Sequence, residues 1–166
     1  MKPIVGLIGC GRWGKHILRD LLALDAVVHV VCLNDATIKD AVGGGAKTAG
    51  LSLPDDVAFD AFVVATPSST HAQVLEDLLD FAKPIFVEKP LTADIHSART
   101  LVEKASELVF VMDKWRYHNA INKIRDLKLD GILGEVLAIK TERWQWSHPH
   151  KDVSALWILA PHDLSI

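Results

Sequence analysis

The chain has 166 residues, 49% of them hydrophobic, and a net charge of -3. That is long enough for one well-buried core, or for one domain and the start of another, and too apolar for disorder. With 18 Lys and Arg against 21 Asp and Glu there is no electrostatic case for a nucleic-acid partner. No stretch approaches the roughly 20 continuous apolar residues of a membrane helix.

Met1-Lys2-Pro3 runs directly into a strand pattern, without the layout of a signal peptide. Cys10 and Cys32 both fall in or beside strand patterns and read as buried free thiols rather than a disulfide framework. Both observations point to a cytoplasmic protein.

Short Val/Ile-rich runs alternate with helical periodicities, the pattern of a parallel sheet with crossover helices. The first strand covers 4–8, and a helix over about 13–24 buries Ile17, Leu18, Leu21 and Leu22. Gly9, Gly11 and Gly14 stand between the two as Gly-x-Gly-x-x-Gly. After a strand and before a helix, that spacing describes a turn that admits a pyrophosphate onto the helix amino end. Arg12 is either a pyrophosphate ligand or a solvated surface residue, and Trp13 either packs over the loop or touches the cofactor.

The second strand covers 27–33, with Asn34 and Asp35 at its end. Asp35 follows Gly14 by about 20 residues, the interval at which a carboxylate meets the adenosine ribose and repels a 2′-phosphate. NAD is therefore favoured over NADP. Lys39 reads as a solvated lysine or a phosphate ligand. Gly43-Gly44-Gly45 predicts a loop.

Further strands are predicted over 59–65, 85–88 and 108–112. After the first of these, Ala65-Thr66-Pro67 closes the strand and Ser68-Ser69-Thr70-His71 opens a helix. Loops at the carboxyl ends of parallel strands line the ligand crevice. Thr66, Pro67 and His71 are thereby candidate cofactor contacts, His71 being alternatively a helix-start histidine bonded to backbone. Thr92 or Asp94 caps the next helix, with Ile95, Ala98, Leu101, Val102 and Ala105 on one face.

Glu88-Lys89-Pro90 follows the apolar run Pro84-Ile85-Phe86-Val87. In a crevice, the Lys89 ammonium can hydrogen-bond a substrate hydroxyl as hydride leaves its carbon. Glu88 can pair with and position it, and Pro90 fixes the turn that follows. The alternative is a surface ion pair before a helix.

A helix over 118–129 follows, and beyond Gly131 and Gly134 the segment 135–146 reads as extended. Residues 119–166 thus form the incomplete start of a second domain after a dinucleotide-binding domain over 1–118. Arg116 and Trp115 are either a substrate-side pair or, for Arg116, part of a structural ion pair. Trp144 and Trp146 are either a sugar platform or cover for a sheet or interface. His148 and His150 alone lack the further ligands of a zinc site, and no metal is expected.

Three segments taken in order, Gly9-Cys10-Gly11-Arg12-Trp13-Gly14, Ala65-Thr66-Pro67-Ser68-Ser69-Thr70-His71 and Phe86-Val87-Glu88-Lys89-Pro90-Leu91, resemble the Gfo/Idh/MocA oxidoreductases. The likeness runs from residue 4 through Ala160-Pro161-His162-Asp163-Leu164. It implies a Rossmann domain followed by a mixed α/β domain with an open sheet. It also implies NAD(P)-dependent oxidation or reduction of sugars, cyclitols or related polyols, and assembly as a homo-oligomer. On that resemblance Lys89 is the catalytic, substrate-orienting lysine and His162 the acid/base histidine, so that both also bind substrate.

The family's Asp-x-Gly-x-His arrangement is here Ile158-Leu159-Ala160-Pro161-His162, without the carboxylate. Ile158 and the short second domain leave two alternatives to the enzyme. One is a noncatalytic dinucleotide-binding or assembly protein, and the other is the amino-terminal fragment of a longer dehydrogenase.

Overall fold

The computed structural model describes residues 1–142 and 154–166. They form two compact units, Met1–Met112 and Asp113–Ile166.

The first unit is built on a parallel sheet. Its strands are β1 (Ile4–Ile8), β2 (Val27–Val31), β3 (Thr48–Gly50), β4 (Ala61–Val64), β5 (Ile85–Val87) and β6 (Val109–Val111), in the order β3-β2-β1-β4-β5-β6. All five pairings are parallel. Strand order reverses between β1 and β4, the point at which doubly wound sheets open a crevice beyond their carboxyl ends. The expected α/β parallel fold is the one observed.

The helices of this unit are α1 (Arg12–Ala23), α2 (Asp35–Gly43), α3 (His71–Leu79) and α4 (Ile95–Ala105). Two apolar layers hold them to the sheet. On one face Val5, Leu7, Val28 and Val30 meet Leu18, Leu21 and Leu22 of α1 and Ala41 of α2. On the other, Phe62, Val64, Ile85 and Val87 meet Leu75 and Leu78 of α3 and Leu101 of α4. Phe62 is completely buried, and burying a side chain of that size contributes about 1.5–3 kcal/mol.

Four local expectations change. The second strand ends at Val31, because the Asn34 side chain accepts the Thr37 N–H at 3.0 Å and begins α2. That helix runs through Gly43 before Gly44 caps it and Gly45 turns at φ +101°. Strand β3 is an addition to the predicted elements: the Cys32 N–H bonds to the Gly50 carbonyl, and His29 Nδ1 lies 2.8 Å from Thr48 Oγ1. Residues 135–142, the described part of the segment read as extended, carry no strand and pair with none among the described residues.

The second unit contains a 3₁₀ turn at Lys114–Tyr117, α5 (Asn119–Leu129) and α6 (Ala155–Leu164). Pro161 lies inside α6, whose first turn is capped by Ser154 Oγ accepting the Trp157 N–H at 3.3 Å. Trp144, Trp146, His148, Pro149 and His150 lie outside the described residues. Among the described residues no helix is long and apolar enough to cross a membrane.

Candidate dinucleotide and chemical site

Ladder bonds bring three turns to one edge of the sheet. The Gly9 N–H bonds to the Val31 carbonyl at 2.9 Å, the Ala65 N–H to Ile8 at 2.8 Å, and the Glu88 N–H to Val64 at 2.9 Å. Gly9–Gly14 after β1, Thr66–His71 after β4 and Glu88–Pro90 after β5 therefore leave the sheet side by side.

The three glycines differ in what they require. Gly9 has φ +95°, a conformation that side chains rarely adopt. A Cβ on Gly14 would stand 2.2 Å from the Gly9 carbonyl oxygen, so that position is glycine because helix and strand touch there. At Gly11 a Cβ would meet nothing within 4 Å, and φ is an ordinary -71°. Among the described residues no packing demands glycine at 11, and the space above it is open.

Helix α1, whose N-cap is Gly11, lacks a side-chain cap, as does α3, whereas Asn34 caps α2 and Asp94 caps α4. The N–H groups of its first turn have no carbonyl within the helix, and they are directed outward with the positive end of the helix dipole. Arg12 is the first, exposed residue of that turn. Trp13 is 54% exposed and meets His16 edge-on at 5.7 Å. Lys15 Nζ donates to Asp40 Oδ2 at 2.7 Å and ties α1 to α2, a bond that pushes the lysine above its ordinary value. Cys10 and Cys32 are buried and free. Burial first, and Cys32 second, push the Cys10 thiol up, which keeps it protonated and unreactive.

Asp35 is exposed at the first position of α2, one residue past the cap. Its carboxylate there complements the helix dipole whether or not a ribose is present. Lys39 is exposed on the same helix.

After β4, Thr66 is half-buried and Pro67 exposed. The Thr70 hydroxyl lies 2.9 Å from Thr66 Oγ1 and 2.8 Å from the Pro67 carbonyl, bracing the loop. Sequence reading passed over Thr70; its signal is a hydroxyl residue three and four positions after the residues it holds. His71 is only 1% exposed. Its Nδ1 lies 2.8 Å from the Pro90 carbonyl and its Nε2 3.0 Å from the Thr66 carbonyl. This is the backbone-bonded arrangement, not one that presents the ring to a cofactor.

Glu88 and Lys89 are half-buried at the end of β5, and Pro90 is buried with a cis peptide bond before it. Arg116 and His162 belong to the second unit. There Arg116 lines a cleft of about 480 Å³ with Tyr117, Arg125 and Ser165. His162 is half-buried on α6, and Ile158, one turn earlier, is 5% exposed.

A sheet ordered 3-2-1-4-5-6, with a glycine turn feeding an uncapped helix at its centre, defines the class of dinucleotide-binding Rossmann domains. The chain belongs to the Gfo/Idh/MocA oxidoreductase family, whose NAD-binding Rossmann fold matches residues 4–112.

Inositol 2-dehydrogenase 2 of Saccharopolyspora erythraea is 32% identical over 110 residues, 62% of this chain and 32% of that protein. An uncharacterized oxidoreductase of Streptococcus pneumoniae is 27% identical over 158 residues, 90% of this chain and 42% of its own length. The structure of myo-inositol dehydrogenase from Lactobacillus casei in complex with NAD(H) and myo-inositol superposes with a TM-score of 0.74 at 26% identity. That match covers 81% of this chain and 43% of the other. The chain thus spans less than half the length of these proteins.

Proposed function

We propose that the chain forms the dinucleotide-binding part of a NAD-dependent oxidoreductase acting on a sugar, cyclitol or related polyol. The observation that carries this reading is the placement of the half-buried Lys89 on the same sheet edge as the Gly9–Gly14 turn. Gly9, Gly11, Gly14 and the first turn of α1 hold the pyrophosphate, with Arg12 and Trp13 beside it. Asp35 accepts from the ribose hydroxyls and disfavours a 2′-phosphate, while Thr66, Pro67 and Glu88 border the nicotinamide end.

When bound, the nicotinamide supplies the hydride acceptor or donor. Lys89 Nζ donates a hydrogen bond to the substrate oxygen and orients the reacting carbon, and Glu88 positions that ammonium. His162 accepts the proton that the substrate oxygen loses, and Arg116 holds a further polar group of the substrate. The relatives named for inositol support the polyol class. The free thiols fit a cytoplasmic setting, and the second unit begins a substrate or assembly domain used in a homo-oligomer.

The test is NADH appearance across a panel of inositols and sugar alcohols, with wild type and Lys89→Met compared. A loss of turnover of about 10²–10⁴-fold with NADH binding retained is expected. Persistent turnover in Lys89→Met rejects the role given to that lysine.

A second reading, a noncatalytic dinucleotide-binding or assembly protein, is favoured by Ile158. It is buried at 5% where the family pattern has an acid, and it has no group to relay a proton. NADH binding without turnover on any member of the panel supports it.

A further inference from the structure

The pairing of β4 with β5 ends at the bond from the Glu88 N–H to the Val64 carbonyl. Pro67 and Pro90 have no N–H with which to continue it. Beyond that point the carbonyls of Thr66 and Pro90 still need donors, since a backbone acceptor left unpaired on burial is costly. One side chain reaches both. The His71 imidazole places Nδ1 2.8 Å from the Pro90 oxygen and Nε2 3.0 Å from the Thr66 oxygen, from the first residue of α3. Either tautomer donates to one of the two carbonyls, and the ring with both protons donates to both.

We propose that His71 is a positioning residue, a side-chain strap that continues the ladder past the end of the strands and fixes Lys89 relative to the Thr66 loop. This is a role through the backbone, not through contact with substrate or cofactor. What Lys89 and Thr66 then do rests on the oxidoreductase reading; the strap itself does not.

The experiment follows Lys89 directly. Lysines are reductively methylated with ¹³C, and the Lys89 resonance is assigned with Lys89→Arg. In His71→Phe, which keeps a ring but has no donor, that resonance is expected to shift to the position of a solvated dimethyl-lysine. In His71→Gln, whose amide donates, it is expected to return most of the way. An unmoved resonance in a folded His71→Phe overturns the proposal, because a merely structural ring would lower stability and leave Lys89 in place.

Should His71→Phe fail to fold, the wild-type ring decides. Protection of both His71 ring N–H groups from exchange supports the strap, and a ring with one protected N–H or none refutes it. NADH titration of the wild type keeps the two ideas apart. Failure to bind NADH removes the oxidoreductase reading and leaves the Lys89 result standing.

Discussion

Substituting alanine at Gly11 and at Gly14 separates the demands of the fold from those of a ligand. At Gly14 the new Cβ would lie 2.2 Å from the Gly9 carbonyl oxygen and 3.0 Å from its carbon. Ordinary contact requires the carbonyl to retreat by about 1 Å, yet Gly9 is held to Val31 by a 2.9 Å hydrogen bond and turns at φ +95°. Overpacking of this kind costs about 1–3 kcal/mol, and alanine's better helix propensity returns about 1 kcal/mol or less. A net loss of about 1–2 kcal/mol corresponds to a fall in Tm of roughly 2–8 °C for a chain of this size.

Gly11→Ala meets nothing within 4 Å at φ -71°, so its stability should stay within about 0.5 kcal/mol of wild type. The methyl group does occupy the space assigned to the pyrophosphate. NADH affinity should therefore weaken by about tenfold or more, about 1.4 kcal/mol. Thermal unfolding and NADH fluorescence titration of both variants are the assays. Wild-type affinity in Gly11→Ala would refute the assignment of that space to phosphate, and an unchanged Tm in Gly14→Ala would refute the rigidity of the turn.

The other predictions concern the adenosine side and the sheet edge. Asp35→Asn should narrow the preference for NADH over NADPH by about tenfold, because the charge that repels a 2′-phosphate is removed; competitive titration with both cofactors reads it, and an unchanged ratio moves the discrimination elsewhere. His29 is buried on β2, and desolvation first, then Lys47, lower its pKa below the ordinary 6.5, with Asp56 opposing. The unfolded chain then takes up the proton more readily, so the contribution of His29 is complete above about pH 6.5 and is lost as pH falls below it. Urea midpoints measured between pH 7.5 and 5.5 should decline in wild type and decline less in His29→Gln; parallel curves would exclude His29 as the source.

Much of the first unit was legible because its signals are local and mutually consistent. Leu18, Leu21 and Leu22 at helical spacing after an apolar run placed both β1 and α1, and the glycine spacing placed the turn between them. Strand β3 was not legible. Thr48-Ala49-Gly50 has no apolar alternation, and its place is set by bonds with His29 on β2 and with Cys32 just beyond it, across the intervening α2. The end of β2 shifted because both acceptors of Asn34 serve the start of α2, its side chain taking the Thr37 N–H and its carbonyl the Ile38 N–H.

The candidate site divides the same way. Gly9, Gly14 and Lys89 announce themselves by residue type and position. His71 at a helix start is compatible with a ligand or a backbone carbonyl, and the partners that settle it, Thr66 and Pro90, come from two different turns. Segment 135–142 has an extended pattern but pairs with no strand among the described residues, and such a pattern becomes a strand only where a neighbour offers a ladder.

The glycine turn and Lys89 issue from β1 and β5, with β4 alone between them. Their separation along the sheet is therefore two interstrand spacings, roughly 10 Å, set by the repeat of backbone hydrogen bonding. The sheet works as a ruler engraved in main chain. No side-chain substitution lengthens or shortens it without unzipping a ladder, so variation at this edge acts on what hangs from the marks while the interval between them stays constant.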